Sequence, residues 1–126
     1  MSSWSIAVLA VLAIGVTPVL LTYHPISAYD NQHVTTLTGT VAEFKWMHPH
    51  PKVALNVRDE KGRTERWTLL MERPGVLKRY GWNPNTLQVG EEITTQVHVR
   101  KDGLKIARAR KLILANGNEL QMVAAK

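Results

Sequence analysis

An uncharged and almost wholly apolar stretch at the amino terminus restricts what the rest of the chain can be. From Trp4 to Tyr23 there is no charged side chain, and within Ile6–Leu21 only Gly, Thr and Pro interrupt the apolar run. Membrane helices tolerate all three residue types. Twenty helical residues span about 30 Å, the thickness of the hydrocarbon core of a bilayer. A helix that is apolar on every face could not be buried by a domain of the remaining size. The sequence therefore predicts that residues 1–23 are a transmembrane anchor or a signal peptide.

Two interpretations of this segment stay open. As an anchor, it has the required length, and Trp4 and Tyr23 bracket it where interfacial aromatic residues are found. As a signal peptide, it has an adequate apolar core but no Lys or Arg among its first residues, and its best cleavage site follows Ala28. In both cases we expect the remaining chain to be exported.

The composition excludes several classes of protein. The chain has 126 residues and no cysteine, which leaves room for one domain and rules out disulfide bonds, Cys-ligated zinc, iron–sulfur clusters and thiol catalysis. It also has no glycine-rich phosphate loop, no His-Glu-x-x-His helix and no nucleophile motif. Glu91 and Glu92 are adjacent, so in a strand their carboxylates would face opposite sides and could not act as an acid–base pair. We therefore expect that the protein is not an enzyme.

Hydrophobic alternation beyond an extended lead-in (residues 24–32) predicts a mainly β domain over residues 33–126. The predicted elements, in chain order, are strands at His33–Trp46, Val53–Arg58 and Thr64–Met71, a short helix at Pro74–Tyr80, strands at Glu92–Arg100 and Ile106–Ala115, and a weak terminal strand within Glu119–Met122. This order, with one short helix between the third and fourth strands, is that of a five-stranded Greek-key barrel of the OB type. A mixed sandwich without closure is the main alternative.

The first strand carries a signal that it bends. Gly39 lies in its middle, where glycine usually marks a bulge or a sharp bend. Val41 lies an even number of positions after Leu37 but an odd number before Phe44. The buried face is therefore expected to switch sides partway along the strand. A coiled first strand that serves two parts of a barrel would behave in this way.

A histidine pair follows the first strand and is the candidate metal site. His48 and His50 stand at positions i and i+2, and the flanking prolines favour the extended chain in which both side chains point the same way. Imidazole suits copper(II) or zinc, and the thioether of Met47 suits copper(I). His24 or His98 could supply a third ligand. The competing interpretation is a proline-rich turn that ends the strand and binds nothing, in which case no cofactor is expected.

The net charge of +6 is concentrated near the carboxyl end, where Arg100–Lys111 holds six basic residues and one acidic residue. We expect the fifth strand to alternate strictly. One face would present the side chains of Arg108, Arg110, Leu112 and Leu114 to solvent, and the other would place Ala107, Ala109, Lys111 and Ile113 on the crowded inner side.

The basic stretch suggests a contact surface for an acidic protein partner or for anionic lipid headgroups. The candidate contact residues are Arg100, Lys101, Lys105, Arg108, Arg110 and Trp82. A solvated charged face is the competing interpretation for the basic residues, and core packing is the competing interpretation for Trp82. No aromatic residue lies between Asn83 and Lys126 to stack on bases, and export removes the chain from most nucleic acid. We therefore expect no nucleic-acid partner.

Several motifs in order resemble a family of small exported bacterial domains of unknown function. The motifs are Ala28-Tyr29-Asp30, Leu37-Thr38-Gly39-Thr40-Val41, Phe44-Lys45-Trp46, His48-Pro49-His50, Trp67-Thr68-Leu69, Arg73-Pro74, Gly81-Trp82 and Leu87-Gln88-Val89-Gly90-Glu91. The resemblance implies an exported, barrel-like domain and no established activity. Together with the apolar segment, it leads us to expect the domain on the periplasmic side of a bacterial inner membrane, either anchored or secreted to the periplasm after cleavage near Ala28. Two positions depart from the family pattern: a His-His pair after the leader is Tyr23-His24 in this chain, and Asn-Pro-His is His48-Pro49-His50.

Three functional hypotheses follow. The first is an exported, non-enzymatic accessory module, tethered by Trp4–Tyr23, that binds a protein partner in a membrane complex. The second is a periplasmic copper- or zinc-binding protein that uses His48 and His50. The third is a domain that binds an oligonucleotide or an oligosaccharide on the barrel face.

Overall fold

The computed structural model describes residues 28–123. The strands are β1 (Thr35–Lys45), β2 (Lys52–Arg58), β3 (Thr64–Leu70), β4 (Glu92–Val99), β5 (Ile106–Leu114) and β6 (Glu119–Leu120), and the helix α1 (Pro74–Arg79) lies between β3 and β4. Over residues 28–123, no helix is both long enough and apolar enough to span a bilayer. The predicted anchor or signal segment, His24 and the first part of the predicted lead-in lie outside the described residues.

The strand order makes the domain a closed barrel. The sheet runs β3-β2-β1-β4-β5-β6, and a parallel pairing between β3 and β5 joins the two ends of the five-stranded part. Three residue pairs form this closure, from Thr68 with Ile106 to Leu70 with Arg108. Closure with one short helix between the third and fourth strands is the arrangement expected of an OB-type barrel. The prediction of a mainly β barrel is confirmed, and the open sandwich is excluded.

β1 bends as predicted and serves both halves of the barrel. Residues 35–40 pair with β4, and residues from Gly39 onward pair with β2. The β1–β2 register shifts between Val41 and Glu43, so one extra residue is inserted there and the inward face switches from Val41 to Phe44.

The barrel core is built from alternate residues of the strands, as the periodicity predicts, with one exception on β5. Ala107 and Ala109 are buried, but Leu112, expected on the outer face, is also fully buried. The β4–β5 register shifts where Gln96 pairs with Lys111 and Val97 pairs with Ala109. This leaves Arg110 as an extra residue, and such a bulge reverses the faces of the strand beyond it. The prediction that Leu112 shares an outward face with Arg108 is therefore wrong.

Candidate binding groove

A groove of about 610 Å³ opens on the barrel surface where β3 ends, beside residues 108–110 of β5. Its remaining walls come from the turn between β1 and β2, from the lead-in before β1 and from the chain after β6. The lining residues are Tyr29, Met47, Pro49, His50, Lys52, Leu70, Met71, Glu72, Arg73, Arg108, Ala109, Arg110 and Val123. We call this the basic groove, because four of its lining residues are cations and one, Glu72, is an anion.

Barrel closure brings the four cations together from distant parts of the chain. Lys52 of β2 pairs with Leu70 of β3, and Leu70 pairs with Arg108 of β5. Neighbouring residues in such a row share a face of the sheet. Arg73 follows β3 at the start of α1, and Arg110 is the extra residue of the β5 bulge. Of these four cations, the sequence pattern predicts only Arg108 and Arg110 as members of one site. Lys52 and Arg73 join them only through pairings between strands that are far apart in the chain.

The lead-in forms one wall of the groove and is fixed to the barrel. The backbone N–H of Asp30 donates to the carbonyl of Val99 at 2.8 Å, and that of Lys101 donates to the carbonyl of Ala28 at 3.0 Å. Between these bonds, the side chain of Tyr29 is only 1% exposed. The motif Ala28-Tyr29-Asp30 is visible in the sequence, but nothing in its pattern predicts that the tyrosine is buried.

Two guanidinium groups contact the ring of Tyr29. Those of Arg100 and Arg108 each lie 5.8 Å from the ring centroid, within the range of a cation–π interaction. Arg108 also donates from Nη1 to Oδ1 of Asn31 at 2.9 Å. These contacts hold Arg108 at the groove and tie it to the lead-in.

The predicted contact surface over Arg100–Lys111 is divided by the fold. The Arg100 side chain is 8% exposed and pairs with Asp102, with Nη2 and Oδ2 separated by 2.6 Å. Hydrogen bonds from Arg100 lower the pKa of Asp102 to about 2, and the same bonds raise the pKa of Arg100. Arg100 therefore has a structural role and presents little surface to a partner.

The other predicted contact residues take three different positions. Lys105 pairs with Glu65 at 2.7 Å and lies 5.4 Å from the ring centroid of Trp67. Lys101 is exposed in the turn after β4, outside the groove. Arg108 and Arg110 line the groove. Of the basic residues expected to act together, the fold thus brings only these two into one site.

Trp82 is a core residue, which corrects its assignment to the contact surface. Its side chain is 3% exposed, and its Nε1–H donates to the carbonyl of Gln121 at 2.8 Å. Gly81, at φ +87°, ends α1 and turns the chain so that Trp82 enters the core. Trp82 therefore packs in the core and is not a surface residue that could contact a partner.

The fold separates the histidines considered as metal ligands. His50 lines the basic groove, and its Nδ1–H donates to the carbonyl of Met71 at 2.9 Å, so Nε2 is the ring nitrogen left for another partner. His48 is exposed and does not line the groove. Nδ1 of His98 is bound to the carbonyls of Asp30 and His33 at 3.0 and 2.8 Å. Within residues 28–123 no three His, Cys, Asp or Glu side chains are grouped so that they could hold a metal ion.

Comparison with known proteins gives a family and one distant structural likeness. No curated protein matches the chain. Among solved structures, the mitochondrial single-stranded DNA-binding protein Rim1 from S. cerevisiae superposes with a TM-score of 0.49 at 12% sequence identity, over 68% of this chain and 97% of that chain. The assignment of the barrel rests instead on its strand order and closure.

The family comparison covers most of the sequence. A family described as being of unknown function matches residues 10–108, a range that includes the barrel from β1 into β5. The resemblance carried by the sequence motifs is thereby confirmed. The chain belongs to this family of unknown function, DUF6152.

Proposed function

We propose that the protein is an exported, membrane-tethered, non-enzymatic accessory module that binds an acidic protein partner of a membrane complex in the basic groove. The observation that carries the proposal is the convergence of Lys52, Arg73, Arg108 and Arg110 on one groove that contains a single carboxylate. A concave site lined by one sign of charge attracts ligands of the opposite charge and speeds their association.

The groove cations are not neutralised by ion pairs within the described part of the chain, although Arg108 also donates to Asn31. None of the ion pairs within residues 28–123 involves Lys52, Arg73, Arg108 or Arg110. Arginine presents a planar fork of donors that matches a carboxylate, so a partner rich in Asp or Glu would satisfy these groups. The lining offers no stack of exposed aromatic rings for bases, since its one aromatic residue, Tyr29, is buried. This favours an acidic protein over a nucleic acid.

Export and tethering enter the proposal through the apolar segment Trp4–Tyr23. Its length matches a bilayer, and aromatic residues flank it at both ends. Cleavage after Ala28 would instead release the domain to the periplasm. Mass spectrometry of the mature amino terminus distinguishes the two, because an intact leader is required for the tether.

The test is recovery of the partner from gently solubilised membranes of cells that express the protein. We compare the full-length chain with the variant Arg73→Glu/Arg110→Glu, which reverses two groove charges that make no ion pair within residues 28–123. The matched control, Lys61→Glu/Arg79→Glu, changes the net charge equally at two exposed residues outside the groove. We expect the groove variant alone to lose the co-purifying protein while both variants keep the wild-type melting temperature. Equal recovery with both variants, or a chain that never co-purifies with a protein, would contradict the proposal.

One observation supports copper or zinc binding as a second candidate function. Nδ1 of His50 is fixed by the carbonyl of Met71, which leaves Nε2 as the free ring nitrogen, and metal-ligating histidines commonly show this arrangement. Met47 lines the same groove. His48 and His24 would have to supply the remaining ligands. Metal analysis of untagged protein tests this: a stoichiometric metal that is lost in His48→Ala/His50→Ala would support it, and metal-free protein after copper or zinc loading would contradict it.

A further inference from the structure

We infer that the segment captured by the basic groove is a short juxtamembrane peptide of the partner, in which acidic residues adjoin apolar ones at the membrane surface. This inference rests on the proposed function and specifies it. It combines the reach of the tether, the attachment of the lead-in and the chemistry of the lining.

The chain between the anchor and the groove is short. Residues 24–28 separate Tyr23, at the end of the apolar segment, from Tyr29 in the groove wall. Whatever its conformation, a connection of this length spans at most about 20 Å. In the anchored protein, the wall of the groove at Tyr29 cannot lie farther than that from the membrane interface.

Because the lead-in is bound to the barrel, the whole groove, and not only Tyr29, must lie close to the membrane interface. Tyr29 forms a β-bridge with Arg100, and its ring contacts the guanidinium group of Arg108. The bond between Arg108 and Asn31 adds a second link between the lead-in and β5. The start of the barrel domain therefore does not act as a free extension of the tether, and the groove is held beside it.

The lining has two kinds of surface, and both must be satisfied by the ligand. The cations share the groove with accessible apolar side chains contributed by several parts of the chain, namely Met47, Pro49, Leu70 and Val123, whereas Met71 is buried. A carboxylate would pair with the arginines, and an adjoining apolar side chain would cover the methionine and leucine surface. Acidic residues just outside a transmembrane helix of the partner provide this combination within the reach of the tether.

Spacers inserted between Ser27 and Ala28 of the full-length chain test the inference. A helical spacer of about 20 residues would hold the barrel about 30 Å farther from the membrane. A flexible Gly/Ser spacer of the same length still allows the groove to reach the membrane surface, but it lowers the effective concentration of the groove at the partner's juxtamembrane peptide. We expect the helical spacer to abolish co-purification of the partner and the Gly/Ser spacer to reduce it by about tenfold or less. Undiminished recovery with the helical spacer would overturn the inference.

The groove variant Arg73→Glu/Arg110→Glu is measured alongside and separates the two proposals. If that variant keeps the partner, the proposed function fails. If the variant loses the partner but the helical spacer keeps it, the groove binds the partner away from the membrane and only the present inference fails.

A lipid headgroup offers a similar negative charge at the same height. The full-length protein is therefore reconstituted in phosphatidylcholine bilayers, with and without phosphatidylglycerol, and titrated with a short synthetic peptide in which a run of Glu residues adjoins a run of Leu residues. Peptide binding that depends on the groove cations in both bilayers supports the inference. No peptide binding in phosphatidylcholine, together with groove-dependent contact with phosphatidylglycerol, would show that lipid is the occupant and would overturn it.

Discussion

Gly39 is the residue on which the geometry of β1 depends most directly. It pairs with Val57 of β2 on one side and with Ile93 of β4 on the other. A Cβ atom built at this position would lie 2.3 Å from the backbone carbonyl oxygen of Asn56. Since that oxygen belongs to the backbone of a paired strand, no side-chain rotation could relieve the contact. Glycine is required at this position by the close approach of two backbones.

We therefore expect Gly39→Ala to lower the free energy of unfolding by about 1–3 kcal/mol, the range of an overpacked core. The matched control is Gly75→Ala in α1, where nothing lies within 4 Å of the added Cβ atom. Alanine favours a helix over glycine by about 0.5–1 kcal/mol, so the control should be neutral or stabilising. Urea denaturation of both variants measures the difference. Equal stability of the two variants would contradict this account of Gly39.

At the scale of the element, the bulge on β5 decides which side chains enter the core. Without it, strict alternation would place Leu112 and Leu114 on the same outward face as Arg108. With Arg110 inserted, Leu112 turns inward and is fully buried, whereas Leu114 is only partly buried. Arg110, the inserted residue, also lines the groove beside Arg108, so the bulge borders both the core and the candidate site.

The bulge predicts that Leu112, which strict alternation would place on the outer face, behaves as a core residue. We expect Leu112→Ala to cost about 2–5 kcal/mol of stability, as for other fully buried leucines, because the truncated side chain leaves a cavity. Leu114→Ala should cost clearly less, since part of that side chain already contacts solvent. Thermal or urea unfolding compares the two variants with the wild type. If Leu112→Ala cost no more than the truncation of a solvent-facing side chain, then β5 could not pair with β4 through a bulge at Arg110.

The elements show which parts of the structure a sequence can predict. Alternation locates β2, β4 and the face switch of β1, and Pro74 and Gly81 mark the two ends of α1, because each of those signals is contained in a few consecutive residues. The bulge at Arg110 leaves no such signal, so alternation assigns the wrong faces to the second half of β5. The sequence predicts only two of the four cations of the basic groove, Arg108 and Arg110, for a related reason. Lys52 and Arg73 come close to Arg108 only when β3 pairs with β5.

For the whole molecule, the segment after β5 completes the core. β6 pairs with β5 through Leu120 and Glu119, and Met122 beyond it is 1% exposed. The carbonyl of Gln121 accepts the hydrogen bond from the indole of the buried Trp82. This segment therefore covers the core near α1, and Val123 then reaches the wall of the basic groove.

A chain that ends at Asn118 should consequently lose most of its stability. Removal of the Met122 side chain from the core costs about 2–5 kcal/mol, and the unpaired indole N–H of Trp82 costs about 1–3 kcal/mol more. Domains of this kind are stable by only about 5–15 kcal/mol in total. We expect a red-shifted tryptophan emission and a melting transition that is much lower or no longer cooperative. The control ends at Val123 and keeps all of these contacts, so it should melt close to the full-length chain. A chain ending at Asn118 that melts with the control would show that the barrel is complete without its last residues, and that Trp82 stays in the core without its hydrogen bond to Gln121.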